Sequence, residues 1–219
     1  MIEVIDHGKD SALTHMARDR QMLSRGTSYS QLSFYKWNSF CVTYGLFAHP
    51  EDFLKMDFCE VQGIEVVQRP TGGGIFFHEF DFPFSLFFPV DHLFPSGSFE
   101  AAWAKIQESM INKLASTLED VSQSELHSHP IKGRFCQAQA HECDFVWGKK
   151  KFGGAAFRKS KHGILCQASL FCTPFSWEKR VLCVKESNIL HVMKQICVPL
   201  KRDEKHLQKV ITRAIEENL

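Results

Sequence analysis

The chain of 219 residues has almost no excess of either charge, with 26 lysines and arginines against 25 aspartates and glutamates. A protein that binds a phosphate backbone through its overall charge needs a basic excess, so nucleic acid is not expected as the principal partner. No apolar run reaches the length of a bilayer span, and the first residues lack the basic start and apolar middle of an export signal. We therefore expect a cytoplasmic protein without a membrane partner.

The sequence contains eight cysteines but no Cys-x-x-Cys pair. Together with the missing export signal, this favours reduced thiols, most of them small buried side chains, over a disulfide framework. One short stretch does crowd possible zinc ligands, namely His127, His129, Cys136, His141 and Cys143. Their spacing fits no standard zinc module, so we expect no metal, although the ligand types alone leave zinc open.

The patterns of apolar residues predict one core and a mixture of helices and strands. A first helix is expected to begin at Asp10 or Ser11, with an inward face formed by Leu13, Met16, Ala17 and Leu23. Strands are predicted over 32–37, 40–47, 64–68, 76–88 with a break near residue 81, 144–147, 151–157 and 164–171. Further helices are predicted to begin at Pro50, Ser98 and Asp203. The apolar faces expected to turn inward are Trp103, Ile106, Met110 and Leu114 on the Ser98 helix, and Leu207, Val210, Ile211, Ala214 and Ile215 on the Asp203 helix. Strand runs joined by turns and followed by terminal helices favour an α+β fold.

The most informative local feature runs from Arg69 to His78 and contains the triple glycine Gly72, Gly73 and Gly74. Consecutive glycines let the backbone approach a ligand and leave amide N–H groups free for an anion. The segment is neither a Walker loop nor a dinucleotide turn. A plain tight turn is the alternative, but Arg69 and His78 are placed to contact a polar head group, which favours an anion cradle.

A second group of residues combines Cys136 with Lys151 and the small residues Gly153, Gly154 and Ala155. A lysine followed by small residues on a strand leaves room for a ligand and places an ammonium where it can polarise an acyl carbonyl. Cys136 is a candidate nucleophile, because a thiol near positive charge ionises readily. The alternatives are a solvated hairpin tip at 149–151 and an inert buried thiol.

These two segments resemble the catalytic domain shared by lipoate-protein ligases, lipoyl-domain octanoyltransferases and biotin-protein ligases. The specific parts are Arg-x-x-Gly-Gly-Gly-x-x-x-His at 69–78 and Lys-Phe-Gly-Gly-Ala at 151–155. The resemblance implies a mixed β-sheet flanked by helices, with an acyl tunnel beside the glycine loop. It also implies that residues 1–219 form a single catalytic domain without a C-terminal accessory domain.

Within that family, the cysteine-type octanoyltransferases take an acyl group from acyl carrier protein onto a thiol and need no cofactor. The acceptor is a lysine of a lipoyl domain, such as that of the glycine cleavage H protein or a 2-oxoacid dehydrogenase E2. Cys136 stands in the matching place relative to Lys151, with Cys143 as the second choice. This branch is the leading hypothesis, for either an octanoyl or a lipoyl group.

Two alternatives remain open at the level of sequence. The first is a ligase that activates lipoate with ATP and magnesium and needs no cysteine. The second is a non-catalytic regulator that binds acyl groups or lipoyl domains. Departures from the family pattern keep it open, since Gln167 replaces a frequent histidine and Glu79 replaces the usual aspartate after His78.

Phenylalanine is abundant, with twenty Phe against three Tyr, which suits an apolar ligand. A cluster beside the glycine loop consists of Phe76, Phe77, Phe82, Phe84, Phe87 and Phe88. Some of these rings are expected to line a tunnel, whereas most are expected to fill the core.

Overall fold

The computed structural model describes residues 2–115, 135–138, 142–148, 150–172, 177–201 and 203–219. The strands in these ranges are β1 Ile2–Asp10, β2 Ser30–Trp37, β3 Cys41–Tyr44, β4 Glu65–Gln68, β5 Ile75–His78, β6 Phe82–Pro89, β7 Phe145–Trp147, β8 Lys150–Ser160 and β9 Gly163–Leu170. The α-helices are α1 Ala12–Arg25, α2 Met56–Val61, α3 Phe99–Ala115, α4 Trp177–Cys183, α5 Asn188–Ile196 and α6 Glu204–Glu216. Short 3₁₀ turns occupy Pro50–Asp52 and Cys136–Ala138.

The described strands form two mixed sheets. The larger has the order β1-β2-β6-β9-β8-β7, with β1 parallel to β2 and the other neighbours antiparallel. The smaller has the order β4-β3-β5, in which β3 runs parallel to β4 and antiparallel to β5. Helices flank both sheets, so the predicted α+β class with a mixed sheet is confirmed.

The two largest apolar clusters among the described residues pack the helices against the sheets. The first packs the six-stranded sheet against α3 and α6, which contribute the predicted inward residues Trp103, Ile106, Met110, Leu114, Leu207, Val210, Ile211, Ala214 and Ile215. The second packs the three-stranded sheet against α2, α4 and α5, around residues such as Phe77, Cys59 and Leu190. No helix in the described ranges combines the length and hydropathy that a bilayer span requires.

Most predicted elements are present, and the differences have physical causes. Ser11 caps α1 by accepting a hydrogen bond from the N–H of Thr14, as expected. The predicted inward face of α1 is wrong at Leu13, which is 60% exposed, and at Ala17, because polar His15 and Asp19 are buried instead.

Three further differences concern strands and helices. The sequence pattern did not predict β1, in which no residue is fully buried, nor the helices α4 and α5. The strand predicted over 40–47 ends at Tyr44, because the N–H of Gly45 turns to bond the carbonyl of Gly74 at 3.2 Å.

Candidate active site

A cavity of about 450 Å³ is lined by residues from both sheets and from α1. This volume falls in the usual range for small-molecule sites, about 300–1,000 Å³. The apolar wall is formed by Met16, Tyr35, Trp37, Phe47, Phe53, Ile75, Phe76, Pro83 and Phe157. The cavity is therefore suited to an apolar ligand.

The phenylalanines beside the glycine loop divide as predicted between cavity and core. Phe76 lines the cavity, whereas the core receives Phe77, Phe82, Phe84, Phe87 and Phe88. Most of the aromatic wall instead comes from distant segments, through Tyr35, Trp37, Phe53 and Phe157. Local clustering in sequence could not identify these residues, because the folding of the chain brings them together.

The glycine loop is shaped by Arg69, which is buried rather than exposed. Its Nε and Nη2 atoms donate to the carbonyl of Gly72 at 3.1 and 2.8 Å. Gly73 has a φ of 93°, and a Cβ there would lie 2.5 Å from Arg69 Nη2 and 3.3 Å from Cys136 Sγ. Glycine is required at this position for its backbone angle and for the space that the guanidinium and sulfur occupy.

Cys136 reaches the glycine loop because the preceding residue pairs with the start of β5. Phe135 forms a parallel bridge with Ile75, which brings the cysteine beside the loop. The N–H of Gly74 donates to Cys136 Sγ at 3.1 Å, and Arg69 Nη2 lies 3.4 Å from the same atom. The sulfur is therefore contacted by two donors, one of them cationic.

Lys151 lies behind this sulfur, almost fully buried at 1% exposure. Its Nζ donates to Asp144 Oδ2 at 2.6 Å and to the carbonyl of Cys136 at 2.7 Å. A Cβ on Gly154 would lie 3.4 Å from Nζ, and Gly154 lines the cavity. The ammonium therefore holds the Cys136 backbone, whereas the cavity surface beside it is formed by Gly154 and Asp144.

His78 is fixed by a buried chain of polar groups at the opposite end of the loop. Its Nδ1 lies 2.6 Å from Asp81 Oδ2 and its Nε2 lies 2.8 Å from Thr43 Oγ1. Thr43 in turn accepts from Arg69 Nη1 at 3.3 Å. Burial acts to raise the pKa of Asp81, but His78 and the hydrogen bonds from Ser169 and from His78 itself hold that pKa below its ordinary value.

The structure brings together most of the predicted site residues, since the cavity is lined by Arg69, Gly72, Gly73, Gly74, His78, Cys136, Gly154 and Ala155. Gly153 and Lys151 are not among them. A Cβ at Gly153 would meet the Ser169 carbonyl at 2.7 Å and the Phe145 ring at 2.9 Å, so this glycine serves strand packing.

Cys143 also borders the cavity, but its surroundings differ from those of Cys136. Burial and the neighbouring carboxylates Glu142 and Asp144 raise the pKa of the Cys143 thiol. Three of the possible zinc ligands lie outside the described residues, namely His127, His129 and His141. Among the residues that the structure does describe, no group of three or more His, Cys, Asp or Glu side chains is arranged to hold a metal.

Sequence reasoning missed several polar residues of the site, chiefly Thr43, Asp81 and Asp19. Each is buried and hydrogen-bonded to a predicted residue or to Gln167. Thr43 and Asp81 lie on or beside predicted strands, and nothing in their local sequence distinguishes them from structural polar residues. Asp19 had a detectable signal, because it falls on the same helical face as Met16 and Leu23.

Comparison with known proteins places this geometry in a family. A family model described as the lipoyl protein ligase A/B catalytic domain matches residues 11–215. Among curated proteins, the octanoyltransferase LipM of Carboxydothermus hydrogenoformans is 31% identical over 110 residues, covering 49% of this chain and 41% of the relative. The LipM of Clostridioides difficile is 25% identical over 189 residues, covering 83% of this chain and 69% of the relative. The chain thus aligns with under half of the first relative's length.

Solved structures show the same fold at low sequence identity. A bi-partite lipoate protein ligase from Thermoplasma acidophilum, studied with its E2 lipoyl domain, has a TM-score of 0.73 at 19% identity, covering 100% of this chain and 84% of that one. A lipoate-protein ligase A bound with ATP has a TM-score of 0.71 at 19% identity, covering 100% of this chain and 85% of that one. Because the family model matches nearly the whole of this chain, the chain belongs to the lipoyl protein ligase A/B catalytic-domain family.

Proposed function

We propose that this protein transfers a medium-chain acyl group, octanoyl or lipoyl, to a lysine of a lipoyl domain through a thioester on Cys136. The observation that carries the proposal is the placement of Cys136 Sγ on an apolar cavity, with the Gly74 N–H at 3.1 Å and the Arg69 guanidinium at 3.4 Å. Relatives named octanoyltransferase LipM support the same chemistry.

The proposed reaction has two steps. Cys136, as the thiolate, attacks the carbonyl of an acyl thioester, such as that of acyl carrier protein, and the carrier leaves as a thiolate that takes a proton from solvent. The neutral amine of the acceptor lysine then attacks the acyl-enzyme, gives up a proton to solvent and displaces the Cys136 thiolate. In both steps the oxyanion is assigned to the N–H groups of Gly73 and Gly74 and to the positive charge of Lys151 beside the Cys136 backbone. Neither step consumes a nucleotide or a metal.

The proposed reaction needs an acyl donor and an amine that accepts the acyl group. A lysine amine on a lipoyl domain is the acceptor, with the glycine cleavage H protein and a dehydrogenase E2 as the two candidate types. A neighbour in fold was studied together with its own E2 lipoyl domain, which supports this class of acceptor. Acyl carrier protein is the expected donor, because an acyl thioester needs no prior activation.

The test is intact mass measurement after incubation with octanoyl carrier protein. We expect an adduct of one octanoyl group that is lost in Cys136→Ser and retained in Cys143→Ser, followed by transfer to an added lipoyl domain. An adduct that survives in Cys136→Ser contradicts the assignment of the nucleophile.

Parallel arms of the experiment address the other hypotheses. Lipoate supplied with ATP and magnesium tests the ligase, which predicts pyrophosphate release and acceptor modification that persist in Cys136→Ser. Binding of the acyl group without turnover of either donor is the result expected of a non-catalytic regulator. Each outcome excludes the other two.

A further inference from the structure

A chain of buried hydrogen bonds links α1 to the start of the glycine loop. Gln167 Nε2 donates to Asp19 Oδ2 at 2.6 Å, and Thr71 Oγ1 donates to Gln167 Oε1 at 2.7 Å. All three side chains are buried, Thr71 completely so. Asp19 also accepts from Ser85 Oγ at 2.7 Å, on the side away from the loop.

The carboxylate at one end fixes the direction of every bond in this chain. An ionised Asp19 can only accept, so Gln167 must present its amide NH₂ to Asp19 and its carbonyl oxygen to Thr71. The Thr71 hydroxyl must then donate. The sulfur of Met16, 3.3 Å from Gln167 Nε2, is a second acceptor on the same side and supports this orientation.

We propose that Asp19 is a positioning residue of the acylation site, which holds Thr71 and the glycine loop that follows it through the amide of Gln167. Thr71 is the residue immediately before the triple glycine, and its carbonyl accepts from the N–H of Leu46 at 3.0 Å. The effect on acyl transfer rests on the proposed function, whereas the effect on the loop itself does not.

The charge of Asp19 makes this positioning dependent on pH. Complete burial raises the pKa of Asp19 to about 6, against the hydrogen bonds from Ser85 and Gln167 that lower it. The other charged or titratable groups facing it are Arg18 on α1, Tyr35 on β2 and Cys166 on β9. Burial raises the pKa of Tyr35 and of Cys166 well above the ordinary values, so both stay neutral while Asp19 titrates.

Below about pH 6 Asp19 gains a proton, and a proton on Oδ2 makes this oxygen a donor that opposes the amide NH₂ of Gln167. The Gln167 amide is then free to turn over and present NH₂ to Thr71, which reverses the last bond of the chain. The loop loses its fixed orientation at the same pH at which Asp19 loses its charge.

The test compares Thr71→Val and Asp19→Asn with the matched control Ser85→Ala. Valine keeps the shape of Thr71 without its hydroxyl, and Ser85→Ala removes a bond of Asp19 that does not lead to the loop. We expect single-turnover acylation at pH 7.5 to be about tenfold slower in Thr71→Val and Asp19→Asn, the effect of one hydrogen bond, with a much smaller change in Ser85→Ala.

The pH profile separates positioning from a general loss of structure. The ratio of wild-type to Thr71→Val rates should fall from about ten at pH 7.5 towards one at pH 5, since the wild-type chain of bonds is then broken too. The double variant Asp19→Asn/Thr71→Val should be no slower than either single variant. A ratio that is constant with pH, or effects that multiply, would overturn the proposal.

Substitution of Gln167 adds a rescue experiment. Gln167→His can donate from one ring nitrogen to Asp19 and accept at the other from Thr71, so it should keep most of the activity. Gln167→Leu has similar size but neither donor nor acceptor and should behave like Thr71→Val. Equal loss in both variants would contradict a role for the hydrogen bonds.

Hydrogen exchange of the backbone amides over 71–76 decides the proposal independently of any activity. Faster exchange in Asp19→Asn and Thr71→Val, but not in Ser85→Ala, is the expected result. Unchanged exchange in the first two overturns the proposal even if the enzyme is active. If the wild-type protein forms no thioester, the proposed function fails, and the exchange result still decides whether Asp19 positions the loop.

Discussion

At the scale of single residues, Cys136 differs from its seven companions by its contacts. All eight cysteines are free thiols. Burial raises the pKa of Cys172, Cys183 and Cys197 to about 12, and that of Cys41 and Cys166 well above the ordinary value. Cys136 is partly exposed and receives two donors at its sulfur, so its reactivity follows from its position against the glycine loop.

We expect iodoacetamide at pH 7 to alkylate Cys136 at least about tenfold faster than any of the other seven cysteines in the folded protein, because only thiolates react and burial raises the pKa of each of those seven thiols. Peptide mapping after brief labelling measures the individual rates. Arg69→Met, which removes the cation 3.4 Å from the sulfur, should slow the reaction at Cys136 alone. Preferential labelling of Cys143 would contradict the assignment.

Asp19 is a buried carboxylate whose ionisation works against folding at neutral pH. Its pKa is about 6 in the folded protein, whereas an unfolded aspartate has its ordinary pKa of 3.8. As pH falls, the folded state takes up this proton first, so the cost of the buried charge disappears between about pH 6 and pH 4. The cost at neutral pH is about 2–3 kcal/mol.

We therefore predict that the stability difference between Asp19→Asn and wild type depends on pH. The asparagine variant should gain about 2–3 kcal/mol relative to wild type on going from pH 4 to pH 7.5, since only the wild type then carries the buried charge. Urea unfolding at both pH values measures it, with Asp203→Asn as a control at an exposed helix cap. The same difference at both pH values would show that Asp19 titrates normally.

At the scale of elements, α1 shows why a polar face can be functional. Its inward face consists of Ala12, His15, Met16, Asp19, Met22 and Leu23, which recur at helical spacing. Apolar periodicity alone selected Leu13 and Ala17 instead, since His15 and Asp19 do not count as apolar. A buried polar residue at a core position of a helix is worth testing as part of a site.

The glycine loop is a second element, and its individual glycines have different structural roles. Gly73 has a φ of 93°, and the space of its missing side chain is filled by Arg69 and Cys136. At Gly72 a Cβ would meet nothing within 4 Å, and its φ is not in the left-handed region. Gly73 therefore has to be glycine for its backbone angle and its crowded surroundings, whereas Gly72 has room for a side chain.

This difference predicts opposite outcomes for two adjacent substitutions. Gly73→Ala should destabilise the fold by about 1–3 kcal/mol and slow acylation of Cys136, because the methyl group strains the backbone and displaces the guanidinium. Gly72→Ala should change stability by less than about 0.5 kcal/mol. Denaturant unfolding and thioester formation measure the two effects, and equal losses in both variants would contradict this reading of the loop.

At the scale of the whole molecule, the cavity takes residues from both sheets, whereas the largest core lies against α3 and α6. In the part of the chain that the structure describes, no residue of α3 or α6 lines the cavity. These two helices thus support the core without contributing to the cavity, and a core defect at α6 should leave the site intact while the protein is folded.

Ile211→Ala tests this separation. Ile211 is fully buried in the first core, so the substitution should lower the free energy of unfolding by about 2–5 kcal/mol. The rate of Cys136 acylation at low temperature should stay within about twofold of wild type. Lys209→Ala, at an exposed position of the same helix, is the control and should alter neither quantity. A large loss of rate in folded Ile211→Ala would show that the two regions are coupled.

The amino-acid sequence by itself determined the features that depend on local order. Helix caps at Ser11 and Asp203, the inward face of α6 and the two glycine-containing motifs were predictable, because capping, periodicity and glycine act within a few residues. The single-domain organisation over 1–219 remains a prediction.

Only the tertiary structure decided which groups meet. The bridge between Ile75 and Phe135 brings Cys136 to Gly74 across some sixty positions, and the bond between Gln167 and Asp19 spans 148. Burial raises the pKa of Asp19, and the burial of Asp19 depends on the packed molecule rather than on the residues next to it in sequence. Long-range contact and the exclusion of water arise only when the sheets and helices are assembled.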